Sequence, residues 1–324
     1  SGFDGWFIAL GYSTQNFMGM GESLSVQLQS GTRAKQYQLS FTEPYLFNTA
    51  SLGLSVHKTS LRYPYLYTRK GEGFNISTAM RFWRYWGVSL YYSFENVEIS
   101  DVNEDIIFSN PFSYYYYARG KRIISALSPT IYYSTVDSPI FPSRGTKYLF
   151  TYRYSGGFLG GDVNLHRTRL QFVKFIPLWQ RHTLGMQVVH EGITRFGDTP
   201  VPLYEKIFLG GERSIRGFDI YRIGPRNEYG SVIGGNKALY FNLEYQIPLN
   251  QQVSFVLFYD IGNAYDFGQP ISLKNVYSST GLELKIFVPM LNVPFRLIFA
   301  YNPRTLRPQE SNFVFRFAVG PSFY

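Results

Sequence analysis

Residues 238–249 read Ala-Leu-Tyr-Phe-Asn-Leu-Glu-Tyr-Gln-Ile-Pro-Leu, and the fold class is decided there. The odd positions are Leu239, Phe241, Leu243, Tyr245, Ile247 and Leu249; the even ones begin Ala238, Tyr240, Asn242, Glu244, Gln246. A period of two sends successive side chains to opposite faces of a strand. Downstream, Val253, Phe255, Leu257, Tyr259 and Ile261 oppose Ser254, Asp260 and Gly262. Then Val276, Leu282, Leu284, Ile286 and Val288 oppose Tyr277, Ser279, Glu283 and Lys285. Near the end, Phe313, Phe315, Phe317 and Val319 oppose Asn312, Arg316 and Gly320, and upstream Tyr37, Leu39 and Phe41 oppose Gln36, Gln38 and Ser40. Helical spacing is poor throughout. The chain is all-β.

The alternating runs extend to about nine to twelve residues, longer than the five or six usual in a β-sandwich and long enough to cross a bilayer at a tilt. Tight links at 18–21, 46–50, 82–87, 177–182, 248–251 and 289–294 alternate with wide ones at 61–71, 99–120, 156–162, 194–236, 267–274 and 302–311. Short turns at one end and long loops at the other are expected of a transmembrane antiparallel β-barrel. Three of the four tryptophans, Trp83, Trp86 and Trp179, lie at short turns, where an aromatic girdle would meet lipid headgroups. A first strand at about 6–14 and a last ending at Tyr324 would run the same way, giving an odd count of about fifteen. Barrels of this kind have even counts, so the expectation is about sixteen strands in the intact protein, with the first preceding Ser1 and the chain, 1–324, a barrel fragment.

Composition narrows the field. Aromatic residues make up 19% of the 324, charged residues only 16%, and apolar residues 45%, enough to exclude a disordered chain. The absence of cysteine excludes a disulfide scaffold and thiolate metal sites. A net charge of +9 raises the question of nucleic acid, but the basic residues are scattered singly between aromatics, so no nucleic-acid partner is expected. There is no apolar run of about eighteen residues for a membrane helix. A mean hydropathy just below zero fits a barrel wall that averages lipid-facing and water-facing residues.

Catalytic patterns are thin. His190-Glu191 begins a zinc-protease pattern, but Thr194 stands where the second histidine belongs. The glycines of 211–217 have phosphate-loop spacing, yet Phe218 replaces the required lysine. His57, His166, His182 and His190 are scattered. No enzymatic activity, cofactor or metal is expected.

The longest connection carries Leu209-Gly210-Gly211-Glu212-Arg213-Ser214-Ile215-Arg216-Gly217-Phe218. Ile215-Arg216-Gly217-Phe218 resembles the Val-Arg-Gly-Phe/Tyr signature in the sixth external loop of the BamA-type insertase superfamily of outer-membrane barrels, with Ile for Val. Similar stretches surround it: 202–208, Ile223-Gly224-Pro225, Gly234-Gly235-Asn236, Tyr259-Asp260-Ile261-Gly262 and, upstream, Glu43-Pro44-Tyr45 and Phe141-Pro142-Ser143-Arg144-Gly145. The likeness spans essentially the whole chain. It implies a loop folded back into the barrel, with Arg216 paired to acidic residues of the inner wall. Glu244 and Asp260 are the candidates, since both fall on the polar register of their strands, and a planar guanidinium suits bidentate pairing there.

The last strand, with Phe313, Phe315, Phe317, Phe323 and Tyr324, resembles the terminal targeting signal of outer-membrane barrels. In this family the seam between first and last strands is weakly paired. Gly320-Pro321 suits a frayed end or a simple strand stop, because proline cannot donate to the ladder. The resemblance implies a multi-pass barrel of the bacterial outer membrane, in contact with the lipid bilayer and lipopolysaccharide, with periplasmic POTRA domains upstream. It implies insertion of unfolded outer-membrane barrel clients through a lateral seam, together with accessory lipoproteins. A TamA-like or two-partner secretion pore of the same superfamily stays open as an alternative, and so does a diffusion porin or barrel enzyme.

Overall fold

Alternation of this kind builds strands, and the computed structural model describes residues 7–19, 21–46, 49–63, 66–104, 107, 121–138, 140–290, 293–306, 309–320 and 322. The strands are β1 (Phe7–Gln15), β2 (Ser23–Gly31), β3 (Ala34–Leu46), β4 (Ala50–Tyr63) and β5 (Tyr67–Arg81). They continue with β6 (Trp86–Ser100), β7 (Arg122–Ser134), β8 (Gly145–Ser155), β9 (Leu165–Pro177) and β10 (Thr183–Arg195). The last five are β11 (Lys237–Pro248), β12 (Val253–Tyr265), β13 (Tyr277–Val288), β14 (Val293–Tyr301) and β15 (Phe313–Val319).

All fifteen form one antiparallel sheet in chain order. Among the described residues β1 pairs only with β2 and β15 only with β14. The sheet curls around the 196–236 connection, which is met from widely separated strands. Tyr221 packs on Tyr63 of β4 at 4.9 Å between ring centroids, Glu205 pairs with Arg153 of β8, and Asp219 lies 2.5 Å from Arg316 of β15.

The wall is inside-out relative to a water-soluble protein. On β12, Phe255, Leu257 and Tyr259 are exposed on the outer face, whereas Val256, Phe258 and Asp260 are buried inside. On β11, Leu239, Phe241 and Leu243 take the outward register and Glu244 is fully buried inside. A continuous apolar exterior around a polar interior is stable when hydrocarbon is the solvent. No described helix is long and apolar enough to cross a membrane. Trp83 and Trp179 stand 72% and 68% exposed at turns of the tight end, where an indole can lie among headgroups.

The alternation of link lengths is looser than the sequence suggested. β2 and β3 are joined at the wide end by only residues 32 and 33. The wide link expected at 61–71 is instead a continuation of the ladder, with Tyr63 opposite Tyr67. β4, β5 and β6, of 14, 15 and 15 residues, outrun the nine to eleven that span a bilayer, so their paired ends project beyond it. Conversely, 135–144 is a long connection at the tight end, organised by Asp137, whose carboxylate accepts the Ser143 and Arg144 N–H groups. β15 stops at Val319, five residues before the end expected for it, and Gly320 turns away at φ +106°. Trp6, Pro321, Phe323 and Tyr324 lie outside the described residues.

Candidate functional site

The connection between β10 and β11 is cross-braced by its own backbone. Leu209 and Ile223 exchange both N–H···O bonds at 2.9 and 3.0 Å, and Ile207 and Gly235 do the same at 2.8 Å. The Gly211 N–H donates to the Phe218 carbonyl, and Ser214 Oγ donates to the Gly210 carbonyl. The chain between is thereby folded into a tight tip that presents Ile215, Arg216, Gly217 and Phe218, all within the lumen. Ile215 is fully buried in an apolar cluster containing Val189, Ala238, Tyr240 and Ala264, and the Phe218 ring meets Tyr277 edge-on at 5.7 Å.

Gly217 is dictated by space as well as by conformation. Its φ is +87°, and a Cβ built there would lie 2.5 Å from Asn302 Oδ1 and 2.8 Å from both Ala300 Cβ and Ser279 Oγ. Only a residue without a side chain fits this approach of loop to wall. The Asn302 amide donates to the Gly217 carbonyl at 3.0 Å.

Arg216, 2% exposed, donates from all three nitrogens of its guanidinium. Nε and Nη2 donate to the two oxygens of Asp260 at 2.8 and 2.7 Å, and the backbone N–H adds a third bond to the same carboxylate at 3.0 Å. Nη1 donates to Glu244 Oε1 at 2.6 Å and to Glu283 Oε2 at 3.2 Å. The guanidinium carbon stands 4.0 Å from the centroid of the Phe258 ring, adding a cation–π contact. Burial alone would lower the guanidinium pKa, but Asp260, Glu244 and Glu283 hold it well above its ordinary value.

The carboxylates have further partners. The Asn242 amide donates to Asp260 and to the Ser214 carbonyl, and Gln246 donates to Glu244. Arg296 Nε and Nη2 grip Glu283 at 2.8 and 2.7 Å, and Lys285 reaches Ser322 Oγ at 3.3 Å. Three cations (Arg216, Lys285, Arg296) and three anions (Glu244, Asp260, Glu283) close the cluster at zero net charge. Paired, hydrogen-bonded charges of this kind can persist in a dehydrated interior where isolated ones cannot.

The loop's entry is held separately. Glu205, 4% exposed, receives Arg153 Nη1 at 3.0 and 2.8 Å, and Arg167 Nη2 bonds Glu191 at 2.7 Å beside it. Burial raises the Glu205 carboxyl pKa, but Arg153 and Arg167 outweigh it and hold the group below the usual carboxylate range.

Sequence reasoning named Arg216, Glu244 and Asp260, which the structure brings together, and missed Glu283, Arg296 and the Glu205 anchor. Glu283 shares the inward register of its strand, and the basic pair Lys285 and Arg296, directly opposed across β13 and β14, calls for an acid nearby. That surplus was the available signal. Phe313, Phe315 and Phe317 are exposed on the outer face of the edge strand, not in the lumen. The four histidines are not brought together. His57 faces Glu95 at 3.6 Å, His166 and His182 bond Tyr152 and Tyr245, and His190 lies on β10 opposite Leu239.

Bilayer-length strands, an apolar exterior and a loop plugged into a charged lumen define a transmembrane β-barrel of the outer-membrane class. Within that class the chain belongs to the Omp85 superfamily, whose domain matches residues 16–323. It is similar to the outer membrane protein assembly factor BamA of Nitratidesulfovibrio vulgaris, 26% identical over 317 residues that cover 95% of this chain and 39% of that protein. The BamA of Neorickettsia risticii is 25% identical over 306 residues, 91% of this chain and 40% of its own. The sorting and assembly machinery component 50 homolog of Homo sapiens is 26% identical over 251 residues, 75% of this chain and 50% of its own. The chain thus spans two fifths to half the length of these relatives. Among solved structures, the fold is shared with BamA from Haemophilus ducreyi lacking POTRA domains 1–3, at a TM-score of 0.80 and 21% identity, covering 97% of this chain and 67% of that one. It is shared less closely with CdiB from Acinetobacter baumannii, at 0.61 and 14%, covering 97% and 56%.

Proposed function

We propose that this barrel lies in the outer membrane, with the 196–236 loop entering from the external side, and that it assembles other β-barrel proteins into that membrane. The observation that carries the reading is the similarity, along 95% of the chain, to a protein named as an assembly factor. The geometry supplies a mechanism. Among the described strands β15 is the shortest, seven residues, and its outer face is a row of phenylalanines. A short edge in hydrocarbon leaves backbone N–H and C=O groups unpaired, each costing several kcal/mol, so an incoming client strand is stabilised by adding to it. The lock around Arg216 supports this role by fixing β11–β14, so that the edge next to them can exchange partners without the wall collapsing. Unfolded barrel clients, accessory lipoproteins of an assembly complex and the absence of a catalytic step belong to the same proposal.

The test is assembly of a client barrel into liposomes containing the full-length protein. A disulfide engineered between the first strand and β15 should stop assembly and leave the barrel folded. Unchanged assembly with the seam fully cross-linked would overturn the edge mechanism in favour of a pore that works through the lumen. Alanine at His57, His166, His182 or His190 should leave assembly intact.

A further inference from the structure

The outer wall of β3–β6 can be read row by row, because the register places one outward side chain of each strand side by side. Toward the bilayer centre one row is Leu39, Val56, Phe74 and Phe94. The next row toward the wide-loop end is Tyr37, Lys58, Glu72 and Asn96, and the one beyond it is Lys35, Ser60, Lys70 and Glu98. The wall therefore passes from wholly apolar to charged in one step of about 7 Å along the strands. That is the height at which hydrocarbon gives way to headgroups.

Lys121, immediately before β7, joins the patch by donating to Glu72. Glu72 also takes Lys58, at 3.2 Å. Among the described residues no carboxylate lies within ion-pair distance of Lys35 or Lys70, and both are exposed. Four ammonium groups (Lys35, Lys58, Lys70, Lys121) against two carboxylates (Glu72, Glu98) leave +2, and all six residues line one concavity of about 250 Å³. Lys174, an outward lysine of β9, lies opposite Met186 toward the tight-turn end and donates to Thr146 Oγ1 at 2.9 Å.

We propose that this concavity binds the phosphorylated headgroup of a lipid in the external leaflet, with its acyl chains lying along the Val56–Phe74 row below. Lys35 and Lys70 supply the uncompensated charge, Lys58 and Lys121 are drawn from Glu72 toward the phosphate, and the apolar row selects a phosphate that arrives on a lipid over one free in solution. The inference rests on the wall facing a bilayer with its wide loops outward, and not on any assembly activity.

The experiment is native mass spectrometry of the full-length protein in detergent, titrated with bisphosphorylated lipid A, with the same lipid stripped of its phosphates, and with inorganic phosphate. Each lysine near an anionic surface contributes roughly fivefold, so the triple variant Lys35→Gln/Lys58→Gln/Lys70→Gln should lose about a hundredfold in affinity for the phosphorylated lipid. Lys174→Gln should lose nothing. The stripped lipid should bind the native protein as weakly as the phosphorylated one binds the triple variant. Rising salt should weaken only native binding. Should the triple variant fail to fold, as judged by heat-modifiable electrophoretic mobility, Lys70→Gln alone should still lose about fivefold. Equal binding by native and variant proteins, or equal binding of stripped lipid, would overturn the site. Displacement by millimolar inorganic phosphate alone would overturn the choice of a lipid as the ligand. No client is present in the assay, so its outcome is independent of the edge mechanism.

Discussion

The two sides of the lumen are built from different chemistry. On β2–β4 the inward positions include Gln27, Gln29, Gln36, Gln38, Ser40 and Ser55, half-buried or exposed, with Gln36 donating to Gln38 and Gln38 to Ser40 along one strand. On β11–β14 the inward positions include Asn242, Glu244, Asp260, Glu283, Lys285 and Arg296, each 3% exposed or less. Charge is thus concentrated on the side from which water has been removed. The difference teaches what the loop is for. A wall that stays wet needs only neutral amides and hydroxyls, whereas a wall that must hold a foreign segment tightly uses charges that only that segment can complete. Between the two sides lies a polar cavity of about 540 Å³ lined by residues such as Gln38, His57 and Arg153.

The largest expected effect tests the dry side. Arg216→Ala removes the guanidinium shared by three buried carboxylates, and should destabilise the barrel by about 3–5 kcal/mol in denaturant unfolding, with the loop becoming protease-sensitive. Arg216→Lys should recover only part of this, since a point charge cannot reproduce the fork on Asp260. An unfolding midpoint equal to that of the native protein would dissolve the contrast between the sides.

A smaller effect is expected at the loop's entry. The folded Glu205 carboxyl is held below the usual range, so its stabilisation is complete above the unfolded value of about 4.3 and is lost as pH falls through the lower folded value. Limited proteolysis should show the 203–211 segment loosening on acidification below about pH 4. Glu205→Gln should be looser at neutral pH and nearly flat across the same range. A native profile without that acid limb would sever Glu205 from the lock.

The smallest effect belongs to the wet side. Gln38→Ala replaces a solvated amide in a half-buried row, and should change stability by no more than about 0.5 kcal/mol in the same unfolding assay. A loss comparable to that of Arg216→Ala would mean that the amide row carries the wall and that the comparison has been drawn in the wrong place.

Which features could be read from sequence follows the range of the interactions that make them. The outward register of Leu239, Phe241 and Leu243 is a local property, written in the alternation itself and repeated in β12 and β13. The length of the links was less legible, because β4 and β5 keep pairing through Arg62–Thr68 and Tyr63–Tyr67 where residue types alone suggested a loop. The site divides in the same way. The motif singled out Arg216, and strand register singled out Glu244 and Asp260. Register could not rank Glu283, which lies on β13, two strands from Glu244, and comes into reach only through the curvature of the sheet. Glu205 carried no periodic signal at all, since its partners Arg153 and Arg167 sit 52 and 38 residues upstream.

The loop's two anchors reach in opposite directions along the chain. The loop's first anchor, Glu205, grips strands that precede it, whereas Arg216 and Gly217 grip Glu244, Asp260, Glu283 and Asn302, which lie 28, 44, 67 and 85 residues later. The loop is therefore a clasp between two stretches of the chain: its near end fastens to strands that precede it and its far end to strands that follow. Cutting either anchor unties both.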